Sequence, residues 1–410
     1  MTNPSRLHNV REFEATARRR LPQPLFDYIA GGADDELTLR ANTDAFARYD
    51  LVPRYLQRLK KIDMSRNVLG ARLDWPLVLA PTGMNRMFHP AGELAVAIEA
   101  AKSGAGYCLS TMANESIENV GAAGNGVKIY QLYMLKDEQQ NLASIDRCRA
   151  AGFHAICLTV DTVVAGNRER DLRSGLTVPP QLNLSSFLQF VARPGWCAQY
   201  LTSGRFSLPN VPAQDQDDMS TLAAYFAANM ESEITWAKVE KLIAHWGGPF
   251  AIKGIQSIAD AKAAADSGAS AVIVSNHGGR QLDGASPAID LVADIVDALE
   301  GRIEVIMDGG VRRGSHIVKA LAMGATACMT GRPYLYGLAS FGHKGVGRVL
   351  DLLRAETERT LALVGCASLS DLSRDHIRLA EAVPGFFVRQ GQARLSGNVL
   401  LDQGQGIGSS

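Results

Sequence analysis

From residue 77 onward the chain alternates between short apolar runs and longer amphipathic, alanine-rich stretches. The apolar runs are Leu77–Ala80, Gly106–Leu109, Val127–Tyr130, Ala155–Leu158, Phe250–Ile252, Ala271–Val274, Ile303–Met307 and Thr326–Met329. Their length and β-branched content predict buried strands. The stretches Glu93–Ser103, Leu142–Ala151, Trp236–Trp246, Ile258–Ser267, Ile289–Leu299 and Ser315–Met323 predict helices between them. Strand alternating with helix argues an α/β fold with a parallel sheet. Eight such units argue a closed (β/α)8 TIM barrel over an open sheet. Each run stops at polar residues or glycine, and a barrel gathers those stops on one face.

Two segments break the rhythm. Residues 1–76 read as an N-terminal helical extension packed on the barrel. Its helices are expected at His8–Leu21, stopped by Pro22, at Pro24–Ala30, ended by Gly31-Gly32, and at Asp34–Tyr49. Tyr28 there reads at first as an ordinary core aromatic. Residues 174–234 form a long insert after the fourth strand, inside a barrel domain spanning 77–374. Loops of that length are usually functional or mobile. From 174 to 210 the insert carries Arg193 and Arg205 and no acid, with Phe187, Leu188, Phe190, Val191, Trp196, Tyr200, Leu201 and Phe206. A cationic, aromatic, acid-free segment suits the surface of a membrane, and a lid or subunit contact is the competing reading. Residues 375–410 are expected to be a C-terminal tail, disordered from Gln403 on.

Composition narrows the classes. The chain has 410 residues, 46% hydrophobic and 20% charged, as in ordinary soluble enzymes. With 42 basic and 42 acidic residues no global charge points to nucleic acid. The six cysteines form no CxxC pair and no metal-ligand spacing. Cys108, Cys157 and Cys328 sit in apolar runs, which predicts buried free thiols in a reducing compartment. The N-terminus lacks the apolar core of a signal peptide, and no apolar run is long enough to span a bilayer.

The chemistry collects at the strand ends. Ser275-Asn276-His277-Gly278-Gly279-Arg280-Gln281-Leu282-Asp283 follows the sixth strand. His277 can take a proton near neutral pH, and the planar fork of Arg280 can hold a carboxylate. Taken alone, a polar loop holding one histidine is an equal reading. Asp308-Gly309-Gly310-Val311-Arg312 after the seventh strand and Gly331-Arg332-Pro333 after the eighth predict a phosphate site. No GxGxxG follows a strand and no P-loop is present, which disfavours a Rossmann dinucleotide site.

The nine residues from Ser275 to Asp283 resemble the signature of FMN-dependent 2-hydroxy-acid oxidases and dehydrogenases, and the likeness runs from about Asn9 to Ser373. Members of that family are FMN-bearing (β/α)8 barrels, usually homotetramers, acting on (S)-2-hydroxy acids. The resemblance implies that Pro81, Thr82 and Gly83 lie along the flavin and that Ser110, Gln131 and Thr159 bond its edge. It implies that Ser275 contacts the cofactor and that Lys253 offsets the charge arriving on the ring. Asp308, Gly309, Gly310, Arg312, Gly331 and Arg332 are then expected to carry the ribityl phosphate. Arg280 and Arg168 are expected to clamp the substrate carboxylate, Tyr28 and Tyr133 to bond carboxylate and hydroxyl, and His277 to act as base with Asp161 on its other nitrogen.

The electron acceptor is less directly legible. Many oxidases of this family carry Ala where this chain has Gly83. The insert with Phe187, Trp196 and Tyr200 resembles the membrane-binding loop of bacterial lactate and mandelate dehydrogenases. Both features favour a dehydrogenase that reduces a membrane quinone, in a cytoplasmic protein held peripherally on the inner face of the cell membrane. An oxidase using O2 and making H2O2 is the alternative. Met112 stands where glycolate oxidases carry a Trp, which leaves room for lactate, mandelate or a longer 2-hydroxy acid. Two other phosphate-binding barrels, those resembling IMP dehydrogenase or isopentenyl-diphosphate isomerase, need no His277/Arg280 pair, and the first also needs a cysteine nucleophile that no strand end supplies. A non-catalytic phosphate-binding barrel is the binding-module reading.

Overall fold

A computed structural model of the chain describes residues 3–57, 59, 61–176, 183–203, 206–211 and 228–380. Arg205 and the segment from Gln403 lie outside the described residues. Eight parallel strands close a barrel in sequence order: β1 (Leu77–Leu79), β2 (Gly106–Ser110), β3 (Lys128–Tyr133), β4 (Ala155–Thr159), β5 (Phe250–Ile255), β6 (Ala271–Val274), β7 (Glu304–Asp308) and β8 (Ala327–Thr330). β8 returns to β1, with Met329 opposite Val78.

Alternate strand residues face two different cores. Val78, Cys108, Ile129, Cys157, Ile273 and Ile306 fill the barrel interior. Leu79, Leu109, Leu132, Leu158, Val274 and Met307 pack outward against the helices. Burial on both faces explains why these strands read as continuous apolar runs. Cys108, Cys157 and Cys328 are buried free thiols, as the sequence suggests.

The extension is not purely helical. Arg66–Val68 and Ala71–Leu73 form an antiparallel hairpin. Its residues Val68, Leu69 and Leu73 join the interior cluster and plug the barrel. The hairpin turns through Leu69 and Gly70, both at positive φ (50° and 73°). The Leu69 N–H donates to both Glu304 carboxylate oxygens at 3.0 Å, which ties the plug to β7.

The helices α1 (Val10–Arg20) and α2 (Gln23–Ala30) fall where expected. The third does not run from Asp34 to Tyr49. It begins later, as α3 (Leu37–Asp44), because Asp34 and Glu36 sit at positive φ. It ends in a 3-10 turn, Ala45–Arg48. Its start is fixed from a distance, since the Asp283 carboxylate accepts from the N–H groups of Leu37 (3.1 Å) and Thr38 (2.8 Å). The tail boundary also moves. Ile377–Leu379 pairs antiparallel with Tyr49–Leu51, so ordered structure continues past residue 374.

Among the described residues of the insert are two short helices, Leu184–Val191 and Pro194–Thr202. Leu184, Phe187, Leu188 and Val191 are all exposed. Their spacing is i, i+3, i+4, i+7, one apolar helix face turned to the outside. The buried residue of that helix is a serine, Ser186, whose hydroxyl donates to the Ser174 carbonyl. Among the described residues no helix is long and apolar enough to cross a membrane.

Candidate active site

A cavity of about 600 Å³ opens at the carboxyl ends of the strands. Pro81, Thr82 and Gly83 after β1, Ser110 ending β2, Tyr133 ending β3 and Lys253 within β5 contribute to its wall. His277 and Arg280 follow β6, Asp308 ends β7 with Gly309, Gly310 and Arg312 after it, and Gly331 and Arg332 follow β8. Tyr28 reaches in from α2, and Arg168 from the loop after β4. Four expected residues stand just behind the wall. Gln131 accepts from the Ser110 hydroxyl (3.1 Å), and Thr159 pairs in register with Lys253. Asp161 and Ser275 bond His277 and Lys253, as described next.

His277 Nδ1 lies 2.9 Å from Asp161 Oδ1, and the carboxylate is the more buried partner. Burial alone would push Asp161 up. The His277 charge and hydrogen bond, with Lys253 nearby, outweigh it and hold the carboxyl below its ordinary value. An ionised Asp161 accepts, so Nδ1 carries the proton and Nε2 is the nitrogen left to act as base. The histidine backbone is left-handed (φ 57°), uncommon outside glycine, and its N–H donates to Ser275 Oγ at 3.1 Å. Gln281 locks the facing loop by donating to the carbonyls of Asp161 (2.9 Å) and Val164 (2.8 Å).

Two arginines meet over the Tyr28 ring, with Cζ of Arg280 at 4.9 Å and of Arg168 at 5.6 Å from its centroid. Arg280 Nη1 donates to the carbonyls of Tyr28 (2.6 Å) and Gly31 (3.2 Å), the open end of α2. That anchors the guanidinium and leaves its Nε/Nη2 edge for a planar anion. Arg332 is used differently. Its Nε, Nη1 and Nη2 donate to the carbonyls of Ile29, Gly278 and Gly31, which clamps α2 to the His277 loop. Burial pushes it down to about 9. Asp171, not anticipated from sequence, sits 3.5 Å from Arg168 Nε. Burial raises its carboxyl, against the lowering effect of Arg280 and Arg168.

On the barrel side Lys253 Nζ lies 2.8 Å from Asp308 Oδ2 and 3.0 Å from Ser275 Oγ, and all three residues are buried. Burial alone would lower the ammonium, but Asp308 and Asp161 beside it outweigh that and hold it above its ordinary value. Gln131 Nε2, Thr159 Oγ1 and Thr330 Oγ1 are buried with no partner among the described residues. The helices Gly314–Ala322 and Arg332–Phe341 start from the Gly309–Arg312 and Gly331 loops. The Gly314 N–H is taken by Glu356 Oε2 (2.8 Å), so the first turn of the second helix is the one with N–H groups to offer an anion. Gly310 is at φ 75°, and an added Cβ would lie 1.8 Å from the Asn42 carbonyl. Unsatisfied donors at one end, a fixed ammonium beneath, and glycine loops with a helix N-terminus at the other fit the heteroaromatic ring and phosphate of FMN.

A buried network under the β1 loop was also invisible in sequence. Tyr334 hydroxyl donates to the Ala80 carbonyl and shares a 2.6 Å contact with Thr82, which donates to Asn85 at 2.8 Å. Glu93 Oε1 accepts from the N–H groups of Asn85 and Asn114, each at 3.0 Å, pinning the loops after β1 and β2 together. Burial pushes Glu93 up to about 7 from its ordinary 4.5, against those N–H donors. Its stabilisation is therefore full below 4.5 and is lost as pH rises through about 7. Glu93→Gln is expected to flatten that slope in urea unfolding from about pH 5 to about pH 8. An unchanged slope would assign the pH dependence elsewhere.

Comparison with known proteins agrees with this geometry. Residues 17–379 match the family described as FMN-dependent dehydrogenase. Glycolate oxidase 1 of Oryza sativa subsp. indica is 40% identical over 381 residues, covering 92% of this chain and 98% of that protein. L-lactate oxidase of Nostoc sp. is 40% identical over 375 residues, covering 90% and 98%. The crystal structure of the monotopic membrane protein (S)-mandelate dehydrogenase superposes with a TM-score of 0.88 at 35% identity, covering 92% of this chain and 100% of that one. The chain belongs to the FMN-dependent dehydrogenase family, as a (β/α)8 flavoprotein that uses FMN.

Proposed function

We propose that this chain converts an (S)-2-hydroxy acid to the 2-oxo acid with His277 as base and Arg280 and Arg168 holding the carboxylate. The observation that carries this is the imidazole with Asp161 behind it and two guanidiniums in the same cavity. FMN, when bound, supplies the two-electron acceptor. Arg280 takes the carboxylate on its Nε/Nη2 edge, and Arg168 adds a second charge. Tyr133, whose phenol burial pushes further up, stays a neutral donor for the carboxylate or hydroxyl. His277 takes a proton from the substrate at Nε2 as the electron pair leaves, and Asp161 stabilises the imidazolium. The Lys253 ammonium offsets the negative charge that comes with the electrons. The phosphate end is carried by the Gly309–Arg312 and Gly331 loops.

The cavity wall also has apolar parts, Phe88 stacked on Tyr28 at 6.2 Å and Met112 and Met230 in the cluster that includes Tyr133. That space supports a side chain larger than hydrogen or methyl. Met112→Trp is expected to cut kcat/KM for mandelate at least about tenfold while changing that for lactate little. Equal losses on both acids would remove the size argument.

For the acceptor, the outward apolar stripe of Leu184–Val191 supports a dehydrogenase that passes electrons to a membrane quinone. The same Phe88 lines both the catalytic cavity and a second cavity against the insert, so this wall of the site adjoins the stripe. The oxidase reading draws support from the 40% identity to glycolate and lactate oxidases. Reduced enzyme mixed with a soluble quinone or with oxygen separates them. Reoxidation by quinone that outpaces oxygen supports the dehydrogenase, and the reverse order makes it an oxidase.

A further inference from the structure

The second cavity, of about 290 Å³, lies between the end of α1 and the connection joining the two insert helices. Arg19, Arg20 and Arg193 line it together with Trp196 and Gln199, and no acidic residue does among the described residues. The bonds these arginines make go to neutral oxygens: Arg19 to Thr16 Oγ1, Arg20 to the Ser340 carbonyl, and Arg193 to the carbonyls of Leu21 and Ala192. None pairs with a carboxylate among the described residues. A basic last turn normally complements the helix dipole, and Arg18, over the Phe26 ring at 4.4 Å, has a place of its own. Arg20 likewise lies over a ring, that of Phe341 at 5.5 Å, but with Arg19 it also lines the cavity beside Arg193, from a distant part of the chain.

We infer that this cavity holds the phosphate of an anionic phospholipid headgroup. Three guanidiniums with spare donors and no counter-charge among the described residues match one phosphodiester. The nine-residue helix Pro194–Thr202 begins at the cavity. Pro194 has no N–H and those of Trp196 and Cys197 donate to the Arg193 carbonyl, so the arginines, with the Gly195 N–H, are the donors on this side. The entrance has room, because a Cβ added at Gly195 would meet nothing within 4 Å. Trp196 forms a wall, its indole N–H fixed on the Met87 carbonyl at 2.9 Å. The outward stripe of Leu184, Phe187, Leu188 and Val191 ends beside Ala192, which also lines the cavity. A helix lying in a bilayer interface sets its apolar face at the acyl boundary, with lipid phosphates level with its flank. The inference rests on the membrane contact proposed above and adds a specific headgroup requirement to it.

The test is vesicle flotation of the FMN-loaded enzyme with phosphatidylcholine alone or doped with phosphatidylglycerol. Wild type is expected to prefer the doped vesicles. Arg19→Gln combined with Arg193→Gln should weaken binding to them about tenfold to thirtyfold, leave the weaker binding to phosphatidylcholine unchanged, and spare turnover with a soluble acceptor. Removing two charges elsewhere, by Lys241→Gln with Lys262→Gln, should leave the preference intact. If the arginine pair keeps the preference, or the lysine pair abolishes it equally, the headgroup cavity is wrong. Free inorganic phosphate should not release the enzyme at lipid-equivalent concentration, and release would assign the site to soluble phosphate. Wild type binding both vesicles equally overturns the cavity alone. Binding to neither, or full binding after Leu184→Ser with Phe187→Ser and Leu188→Ser, overturns the apolar membrane contact itself.

Discussion

His277→Gln is expected to bind FMN normally and to lose about a hundred- to ten-thousand-fold in the rate of flavin reduction by substrate. Glutamine keeps a polar group near Asp161 but has no basic nitrogen at neutral pH. The loss should fall on kcat, because the arginines that hold the carboxylate remain. The left-handed backbone at residue 277 is set by the Ser275 hydroxyl and by Gly278 and Gly279, both at positive φ, so the loop should survive the change. Anaerobic stopped-flow absorbance of the flavin reads the step directly. Near-normal reduction would remove His277 from the chemistry.

Lys253→Met should be the most damaging change to both stability and redox chemistry. It leaves Asp308 buried beside Ser275 without its cation, and removing one partner of a buried pair costs about 3–5 kcal/mol. The Asp308 carboxyl, now held below its ordinary value by Lys253 against the effect of burial, should rise. Flavin reduction should become less favourable, because the ammonium that offsets incoming charge is gone. Denaturant unfolding and a reductive titration measure the two effects separately. Asp308→Asn in the same chain should restore most of the stability and little of the redox behaviour. If the double variant recovered both, Lys253 would act only as a partner for Asp308.

Much of this architecture is written locally. Strands buried on both faces leave continuous apolar runs, so the barrel and its polar strand ends could be read directly. The Ser275–Asp283 motif is contiguous, and its resemblance identified the family before any coordinate. What escaped depends on distant partners. Nothing around Leu69-Gly70 marks three-residue strands as a barrel plug, because the signal is the volume that small interior residues such as Ala155, Ala251 and Ala327 leave. The late start of α3 is set by Asp283, more than two hundred positions away. Asp171 looks like a helix acid until Arg280 and Arg168 close over it. Glu93 looks like one too, until its carboxylate is found buried under two loops. In the insert, composition indicated the apolar character, but the outward phase of the stripe emerged only with the helix.

The central claim is that one cavity couples proton removal from a 2-hydroxy acid to reduction of FMN. Mixing the purified holoenzyme anaerobically with (S)-lactate, (S)-mandelate and longer 2-hydroxy acids, while following flavin absorbance and 2-oxo acid, tests it directly. Bleaching by at least one acid, with one 2-oxo acid formed per flavin and no reaction of its (R)-enantiomer, is the predicted result. A flavin that stays oxidised with every acid, or bleaches without forming a 2-oxo acid, would contradict it.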